Sequence, residues 1–372
     1  FYDGTILNQS RIGDIMRIAN EIIRLIEAKK AFTDLNIRPG YPMAYRTPMG
    51  YASTSEESLT EQDIKDFCEL ADGQWEKRIT AGEGQFDCGL TLKGQARLRC
   101  NFYWYGQNNS IGVVVRKLPI TPPKIDEIGI SFEIKRMIQT QPKGLILVSG
   151  PTGSGKSTTL AAIIEYLNET RPFSIVTLEQ PIEYEFMQKR SVIVQREIPN
   201  NVATFQKGIE SAKRQDPDVI MVGEIRDRGT VDAMLSAACS GHLVLATTHA
   251  RSAQESCESL LTYYADEELR QKRSLLAASL LAVNSQVLLP SVNGDAFVLG
   301  YELMINSPQI SGLIRDGKTR EIGTLMQNQN GGTATVVSLN ERLIKMVETN
   351  AISKKDALAH AYDKEALARY LS

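Results

Sequence analysis

The sequence has few of the residues that build metal centres or covalent cross-links. Its 372 residues include only 3 histidines and 5 cysteines. The cysteines are scattered, odd in number and form no Cys-x-x-Cys pair, which excludes a zinc site of the usual spacing and a disulfide framework. This composition favours a reduced, cytoplasmic compartment.

An excess of one charge and a long apolar run are absent as well. The chain carries 42 Lys and Arg against 44 Asp and Glu, a net charge of -2, so it has no general attraction to nucleic acid or to an anionic membrane. Its longest apolar stretch, Leu275–Val283, is too short to span a bilayer. We therefore expect a cytoplasmic chain that meets a membrane only from its side.

One stretch fits the phosphate-binding loop pattern of Gly, four residues and Gly-Lys-Ser. The preceding apolar run predicts a strand and the following run predicts a helix, which is the setting that the motif requires. Lys156 is expected to reach the β- and γ-phosphate oxygens, and the Ser157 hydroxyl to coordinate Mg²⁺. The chain is therefore predicted to bind ATP with Mg²⁺. The predicted binding residues are Gly150, Pro151, Thr152, Gly153, Ser154, Gly155, Lys156, Ser157 and Thr158.

Further candidate catalytic side chains follow other hydrophobic strands. Glu224 ends such a run and is the predicted general base, with contact to Mg²⁺ through a water as a second role; an ion pair with Arg226 is the alternative. Glu179 and Glu183 follow the next strand after the loop helix, where ligands of open α/β sheets bind, although a plain surface loop explains them equally well. His249, at the carboxyl end of another strand, is predicted to contact the γ-phosphate.

The order of apolar patterns divides the chain into three parts. Residues 1–117 combine helices with a strand meander and predict a small α+β domain. Residues 118–131 begin with three prolines among seven residues, which is typical of a semi-rigid linker. Residues 132–372 alternate strands with helices, which predicts a mostly parallel α/β sheet followed by C-terminal helices.

Some element boundaries are also predicted from local signals. Ser58-Leu-Thr-Glu61 has the pattern of a capping box that opens a helix through about Ala71, and 267–282 has helical spacing. The strands predicted in the second domain are Leu145–Val148, Ser174–Leu178, Val192–Val194, Val219–Val222 and Leu243–Thr247.

The order of these motifs resembles the PilT/VirB-type family of hexameric secretion and pilus ATPases. The match includes the phosphate loop, the acid box Glu179–Glu183, the segment 214–227 with Glu224, and 274–286; 307–317 is similar to the C-terminal signature of pilus-retraction motors. The resemblance implies a RecA-like P-loop ATPase domain with a smaller N-terminal PAS-like α+β domain. It also implies a homo-hexamer that works with inner-membrane components of a secretion, conjugation or pilus machine.

The N-terminal part resembles the family at 33–37 and 96–101. By position, Arg97, Arg99 and Arg116 are similar to the arginines that the family's N-terminal domain supplies toward ATP.

Other positions depart from the family pattern. Gln180 replaces the Asp of the acid box, Asn36 stands where the family often has His, and Asn109 stands where it has a further Arg. These departures, with the missing four-cysteine motif of pilus-extension motors, are similar to the DotB/TraJ branch of type IVB secretion and conjugation.

The combined hypothesis is a Mg²⁺-dependent ATPase that powers a type IV secretion or conjugation apparatus, is located in the cytoplasm and is peripherally associated with the inner membrane. A pilus-retraction motor is the first alternative, since the same enzyme could serve it. A RecA-like nucleic-acid motor is disfavoured by the near-neutral charge, so no strong direct nucleic-acid binding is expected. A non-enzymatic ATP-binding scaffold is disfavoured by Lys156 and Glu224.

Overall fold

The computed structural model describes residues 17–28, 34–47, 50–92, 96–118, 121–293, 296–328 and 336–371. It divides into two compact units. The first is Phe1–Thr121 together with Pro181–Glu185, and the second is Pro122–Gln180 with Phe186–Ser372. Two sequence predictions lie partly outside the described residues: Thr33 belongs to the N-terminal family match, and residues 119–120 to the linker.

The first unit is built on a six-stranded antiparallel sheet in the order β3-β2-β1-β6-β5-β4. Phe102 on β5 and Phe86 on β4 stack in its core, with ring centroids 4.7 Å apart, because the two residues are directly opposite each other in the register of these strands. Its elements are α1 (Arg17–Glu27), β1 (Asp34–Ile37), β2 (Ala44–Thr47), β3 (Gly50–Ser53), α2 (Glu61–Ala71), α3 (Trp75–Ala81), β4 (Gln85–Leu92), β5 (Ala96–Tyr105) and β6 (Ser110–Leu118).

Helix α2 starts two residues later than the predicted capping box indicated, because Thr60 rather than Ser58 caps it. The Thr60 hydroxyl accepts from the Asp63 N–H at 3.1 Å, and the Asp63 carboxylate accepts from the Thr60 N–H at 2.7 Å. The predicted box that began at Ser58 is therefore wrong. Leu59 and Ile64 are both buried and flank this cap, which is the arrangement of a hydrophobic staple and favours Thr60 as the N-cap.

The second unit contains an eight-stranded sheet in the order β14-β13-β12-β7-β11-β10-β8-β9. The six strands from β12 to β9 are parallel, and β13 and β14 extend the sheet in antiparallel register. The strands are β7 (Gly144–Ser149), β8 (Ser174–Glu179), β9 (Val192–Glu197), β10 (Val219–Val222), β11 (Leu243–Thr248), β12 (Leu280–Pro290), β13 (Phe297–Ile305) and β14 (Val336–Val337).

Helices cover both faces of this sheet. Strands β7 and β11 are buried along their whole length, as expected for central strands packed on both sides. Leu145 and Leu147 of β7 pack on one face, and Ile146 and Val148 on the other. The helices are α4 (Phe132–Thr140), α5 (Lys156–Thr170), α6 (Phe205–Ala212), α7 (Arg228–Cys239), α8 (Ala253–Leu261), α9 (Asp266–Ser279), α10 (Pro308–Arg315), α11 (Arg320–Asn328), α12 (Leu339–Glu348), α13 (Lys354–His360) and α14 (Lys364–Leu371).

The predicted helix 267–282 ends too late. Helix α9 stops at Ser279, and the last residues of the apolar run begin β12, which pairs in parallel with β7. Strands β12 and β13 were not predicted at all. The local apolar spacing continues smoothly through Leu280, so only the pairing with β7 determines where the helix gives way to a strand.

Candidate active site

The phosphate loop connects β7 to α5 at the carboxyl edge of the parallel strands. Gly150 has φ 145° and Gly155, the N-cap of α5, has φ 85°. A Cβ at Gly150 would lie 2.4 Å from the Gln286 carbonyl oxygen, so this close approach of two backbones requires glycine. The loop thus presents its backbone and the first turn of a helix in the form that binds phosphate groups.

Lys156 folds over this loop. Its Nζ donates to the carbonyl oxygens of Gly150 at 2.8 Å and Pro151 at 3.1 Å. Ser157 follows in the exposed first turn of α5, where the helix N–H groups have no intrahelical acceptor and the helix dipole favours anions. In the described part of the chain, the buried Ser154 hydroxyl has no hydrogen-bond partner. A glycine cradle, a lysine and a helix N-terminus together fit a nucleoside triphosphate.

Strand β12 supports the loop from behind. Gln286 Nε2 donates to the Ser154 carbonyl at 2.7 Å, and Gln286 Oε1 accepts from the Thr159 hydroxyl at 3.1 Å. The Ser149 and Ser285 hydroxyls are 2.7 Å apart. Gln286 was not among the predicted site residues. The signal that could have identified it is the polar pair of Ser285 and Gln286 inside an apolar run.

Glu224 and His249 lie together where β10 and β11 end. His249 Nε2 is 2.9 Å from Glu224 Oε1, and Arg226 forms an ion pair with the other carboxylate oxygen at 2.5 Å. Arg226 also donates to Gln180 Oε1 at 3.1 Å. The Arg226 ion pair that the sequence left open is thus present, and it coexists with a contact between Glu224 and His249 that was not predicted.

The electrostatics keep Glu224 ionised. Burial alone would raise the pKa of this carboxyl, but the hydrogen bond and charge of Arg226, with His249, outweigh it and lower the pKa below its usual value. An ionised carboxylate can orient a water molecule and accept its proton. This is the chemistry expected of a general base at the edge of a nucleotide-binding sheet.

The two acids of the acid box, Glu179 and Glu183, lie in different units of the structure. Glu179 is buried at the end of β8, where it accepts from the Thr177 hydroxyl at 2.7 Å and from Gln195 Nε2 at 3.1 Å. Glu183 belongs instead to the Pro181–Glu185 segment of the first unit. The hydrogen bond from Gln195 on β9 gives Glu179 a role in linking β8 to β9.

The three predicted arginines share the outer face of the N-terminal sheet. Arg99 pairs directly with Arg116 in the register of β5 and β6, and Arg97 lies two residues before Arg99. Each already contacts an acid: Arg97 with Glu185 at 2.7 Å, Arg99 with Asp87 at 3.7 Å and Arg116 with Asp34 at 2.8 Å.

The three side chains differ in accessibility. The exposed fraction is 12% for Arg97, 36% for Arg99 and 59% for Arg116. Arg97 also donates to the Ile182 carbonyl at 3.2 Å, so it ties the 181–185 segment to β5. The hydrogen bond with Asp34 raises the pKa of Arg116. The ion pair of Arg99 is the longest of the three, so Arg99 is the least tightly held of these arginines.

A family model described as "Type II/IV secretion system protein" matches residues 101–366, most of the chain. The chain belongs to this family. It is 34% identical over 330 residues to the "Type IV pilus retractation ATPase PilT" of Pseudomonas aeruginosa, covering 89% of this chain and 94% of that protein. It is also 36% identical over 292 residues to a "Twitching motility protein" of Neisseria gonorrhoeae, covering 78% and 77%.

Solved structures agree with this membership. The pilus retraction motor PilT with bound ADP superposes with a TM-score of 0.83 at 32% identity, covering 95% of this chain and 98% of that one. The Legionella pneumophila ATPase DotB has a TM-score of 0.80 at 23% identity, covering 96% of each chain, which shows a shared fold. The predicted fold class and family are therefore confirmed, and the chain is an ATP hydrolase of the secretion and pilus ATPase family. No helix in the described ranges is long and apolar enough to cross a membrane.

Proposed function

We propose that this chain is a Mg²⁺-dependent motor ATPase that assembles as a homo-hexamer and powers a type IV machine from the cytoplasmic face of the inner membrane. The observation that carries the proposal is the Glu224 carboxylate held beside His249, on a parallel sheet whose neighbouring strand leads into the phosphate loop. Ligands of such sheets bind at the carboxyl edge of the strands.

Each residue of the site has a distinct role in hydrolysis. Lys156 neutralises charge on the terminal phosphates, and the Ser157 hydroxyl would hold Mg²⁺, which when bound supplies Lewis-acid neutralisation of the phosphate oxygens. Mg²⁺ takes few protein ligands beside substrate phosphates, so one hydroxyl is sufficient. Glu224 orients the attacking water and accepts its proton, while His249 holds that carboxylate and responds to the γ-phosphate.

Two machines fit the sequence. Identity of 34% to PilT along nearly its full length supports pilus retraction. Gln180, which replaces the acid-box Asp and accepts from Arg226, supports the type IVB secretion or conjugation branch that the sequence suggested. Deleting the gene and scoring surface motility and plasmid transfer side by side distinguishes them, because each machine affects only one of the two readouts.

Replacing Glu224 tests the proposed chemistry. We expect Glu224→Gln to bind ATP and to assemble, yet to lose roughly 10²–10⁴-fold in turnover, the scale of a positioned general base. Lys156→Ala should remove turnover by removing phosphate charge neutralisation. Phosphate release and nucleotide binding are measured on both variants.

Glu267→Gln, an exposed acid on α9, is the matched control and should retain normal turnover. A fall of less than about tenfold for a folded Glu224→Gln protein would move the base to another carboxylate. Normal turnover by folded Lys156→Ala protein would show that the loop is not the catalytic site.

A further inference from the structure

A cavity of about 850 Å³ lies within the second unit, on the side of α8 that faces the C-terminal helices. Its size is that of a small-molecule or short-peptide site. Residues of the segment 251–255, of β13 and of helices α12 and α14 line it. None of the residues proposed above for phosphate binding or catalysis belongs to this lining.

The cavity contains a buried carboxyl group without a counter-charge. Glu302 on β13 is 5% exposed, and its Oε1 accepts from the Ala253 N–H at 2.7 Å. Within the described ranges Glu302 makes no second hydrogen bond and no ion pair. Burial raises its pKa to about 7, and the nearby Glu255 acts in the same direction. A positive charge placed beside this carboxyl would favour its ionised form, so a cation complements the group.

The rest of the lining is mostly acidic and has an apolar floor. Glu341 and Glu348 on α12 and Asp363 just before α14 add carboxylates, whereas Leu367 and Met326 are buried apolar side chains of the wall. The basic lining residues are Arg251 and Lys345, and Lys345 is already near Glu341 at 3.8 Å. An apolar stem ending in a positive charge matches this surface.

We propose that the cavity binds an aliphatic cation, an ammonium or guanidinium group on an apolar stem, with the Glu302 carboxylate as its counter-ion. The group can come from a free polyamine or from a Lys or Arg side chain of a polypeptide. In both cases the stem packs on Leu367 and Met326 while the charge lies beside the Glu302 carboxylate.

The position of the cavity links this site to ATP turnover. The Tyr362 hydroxyl, on the cavity wall, donates to the Arg251 carbonyl, and Arg251 follows His249 by two residues. The Glu302 contact with Ala253 holds the first turn of α8 in the same segment. A bound cation therefore acts on the strand end that positions His249 beside Glu224.

Calorimetry on the full chain without nucleotide tests the site independently of hydrolysis. The probes are cadaverine and its neutral analogue pentanediol, and the peptide acetyl-Leu-Lys-Leu-amide with its norleucine analogue. We expect at least one cationic probe to bind, its neutral analogue not to bind, and Glu302→Gln to weaken binding by about tenfold or more, since a buried ion pair is lost. Glu267→Gln is the control and should bind as the wild type does.

Each binding result either supports or overturns the proposal. Binding of cadaverine supports a free amine as ligand, and binding of the peptide alone supports a polypeptide source. Failure of both cationic probes, or equal binding by Glu302→Gln, overturns the proposal. If Glu302→Gln does not fold, Glu348→Gln serves in its place, because Glu348 lines the same cavity from α12 and should weaken binding in the same direction. Phosphate release with and without the bound probe then reports the effect on turnover.

Discussion

At the scale of single residues, Glu224 shows what a sequence motif can and cannot specify. An acid at the end of an apolar strand was enough to predict Glu224 as the candidate general base, but not its contact with His249. The contact from Arg226 to Gln180 could not be predicted, because the two residues follow β10 and β8, which become neighbours only through the order of the sheet. Local sequence signals carry no information on strand order.

Glu302 is another residue that the sequence left unnoticed, since one acid in an apolar strand gives no local sign of a cavity. The pKa of its carboxyl is raised from 4.5 to about 7 in the fold. Between these values the folded chain keeps a proton that the unfolded chain has lost. The free energy of unfolding therefore falls as pH rises through this window, by about 2–3 kcal/mol from this one group.

Comparing the wild type with Glu302→Gln isolates that effect, because the amide still accepts from Ala253 but does not titrate. We expect the stability of the wild type, relative to the variant, to decrease by about 2–3 kcal/mol between about pH 5 and about pH 8. Urea unfolding at the two pH values measures it, with Glu267→Gln as the control that should follow the wild type. A difference that stays constant with pH would contradict the raised pKa.

At the scale of elements, the phosphate loop could be predicted from the sequence, whereas the strand that holds it in place, β12, could not. The Gly-rich motif specifies the loop, strand β7 and helix α5 within a few residues of each other in sequence. Strand β12, which holds the loop through Gln286, lies more than a hundred residues later, and its first residues continue the apolar spacing of α9. Its identity as a strand depends on pairing with β7, a long-range interaction.

Gln286→Leu should therefore destabilise the conformation of the phosphate loop, although Gln286 is not one of the predicted ATP-binding residues. The apolar side chain keeps the volume but leaves the Ser154 carbonyl and the Thr159 hydroxyl unpaired in a buried setting, which costs about 1–3 kcal/mol of unfolding free energy. We expect KM for ATP to rise by roughly tenfold while kcat changes less, as for a loss of ground-state binding. Steady-state kinetics and urea unfolding measure both.

Gln271→Leu, an exposed substitution on α9, is the matched control for the loss of a glutamine amide. An unchanged KM in stable Gln286→Leu protein would show that the loop keeps its shape without β12.

At the scale of the whole molecule, catalysis by one phosphate loop leaves negative charge on the transition state incompletely neutralised. An arginine supplied by another subunit typically contributes on the order of 10³–10⁵ in rate. Strand periodicity was enough to predict that Arg97 and Arg99 share a face, and the register of β5 with β6 adds Arg116 to it. It could not predict that Arg97 would be largely buried against the 181–185 segment, which leaves Arg99 as the better candidate for this role.

We therefore propose that Arg99 acts on ATP bound by a neighbouring subunit, so that turnover requires assembly. Arg99→Ala protein and Glu224→Gln protein should each be inactive alone. When the two are mixed and reassembled, some interfaces combine an intact Arg99 with an intact Glu224, and random mixing in a symmetric ring makes these roughly a quarter of all interfaces. Phosphate release should then recover to about that fraction of wild type if interfaces act independently.

Mixing Glu224→Gln with Lys156→Ala is the control that should not recover, because no interface then has both a working loop and a working base. Full activity of a verified monomer, or no recovery in the Arg99→Ala mixture despite confirmed mixed rings, would show that the arginine acts within its own subunit or not at all.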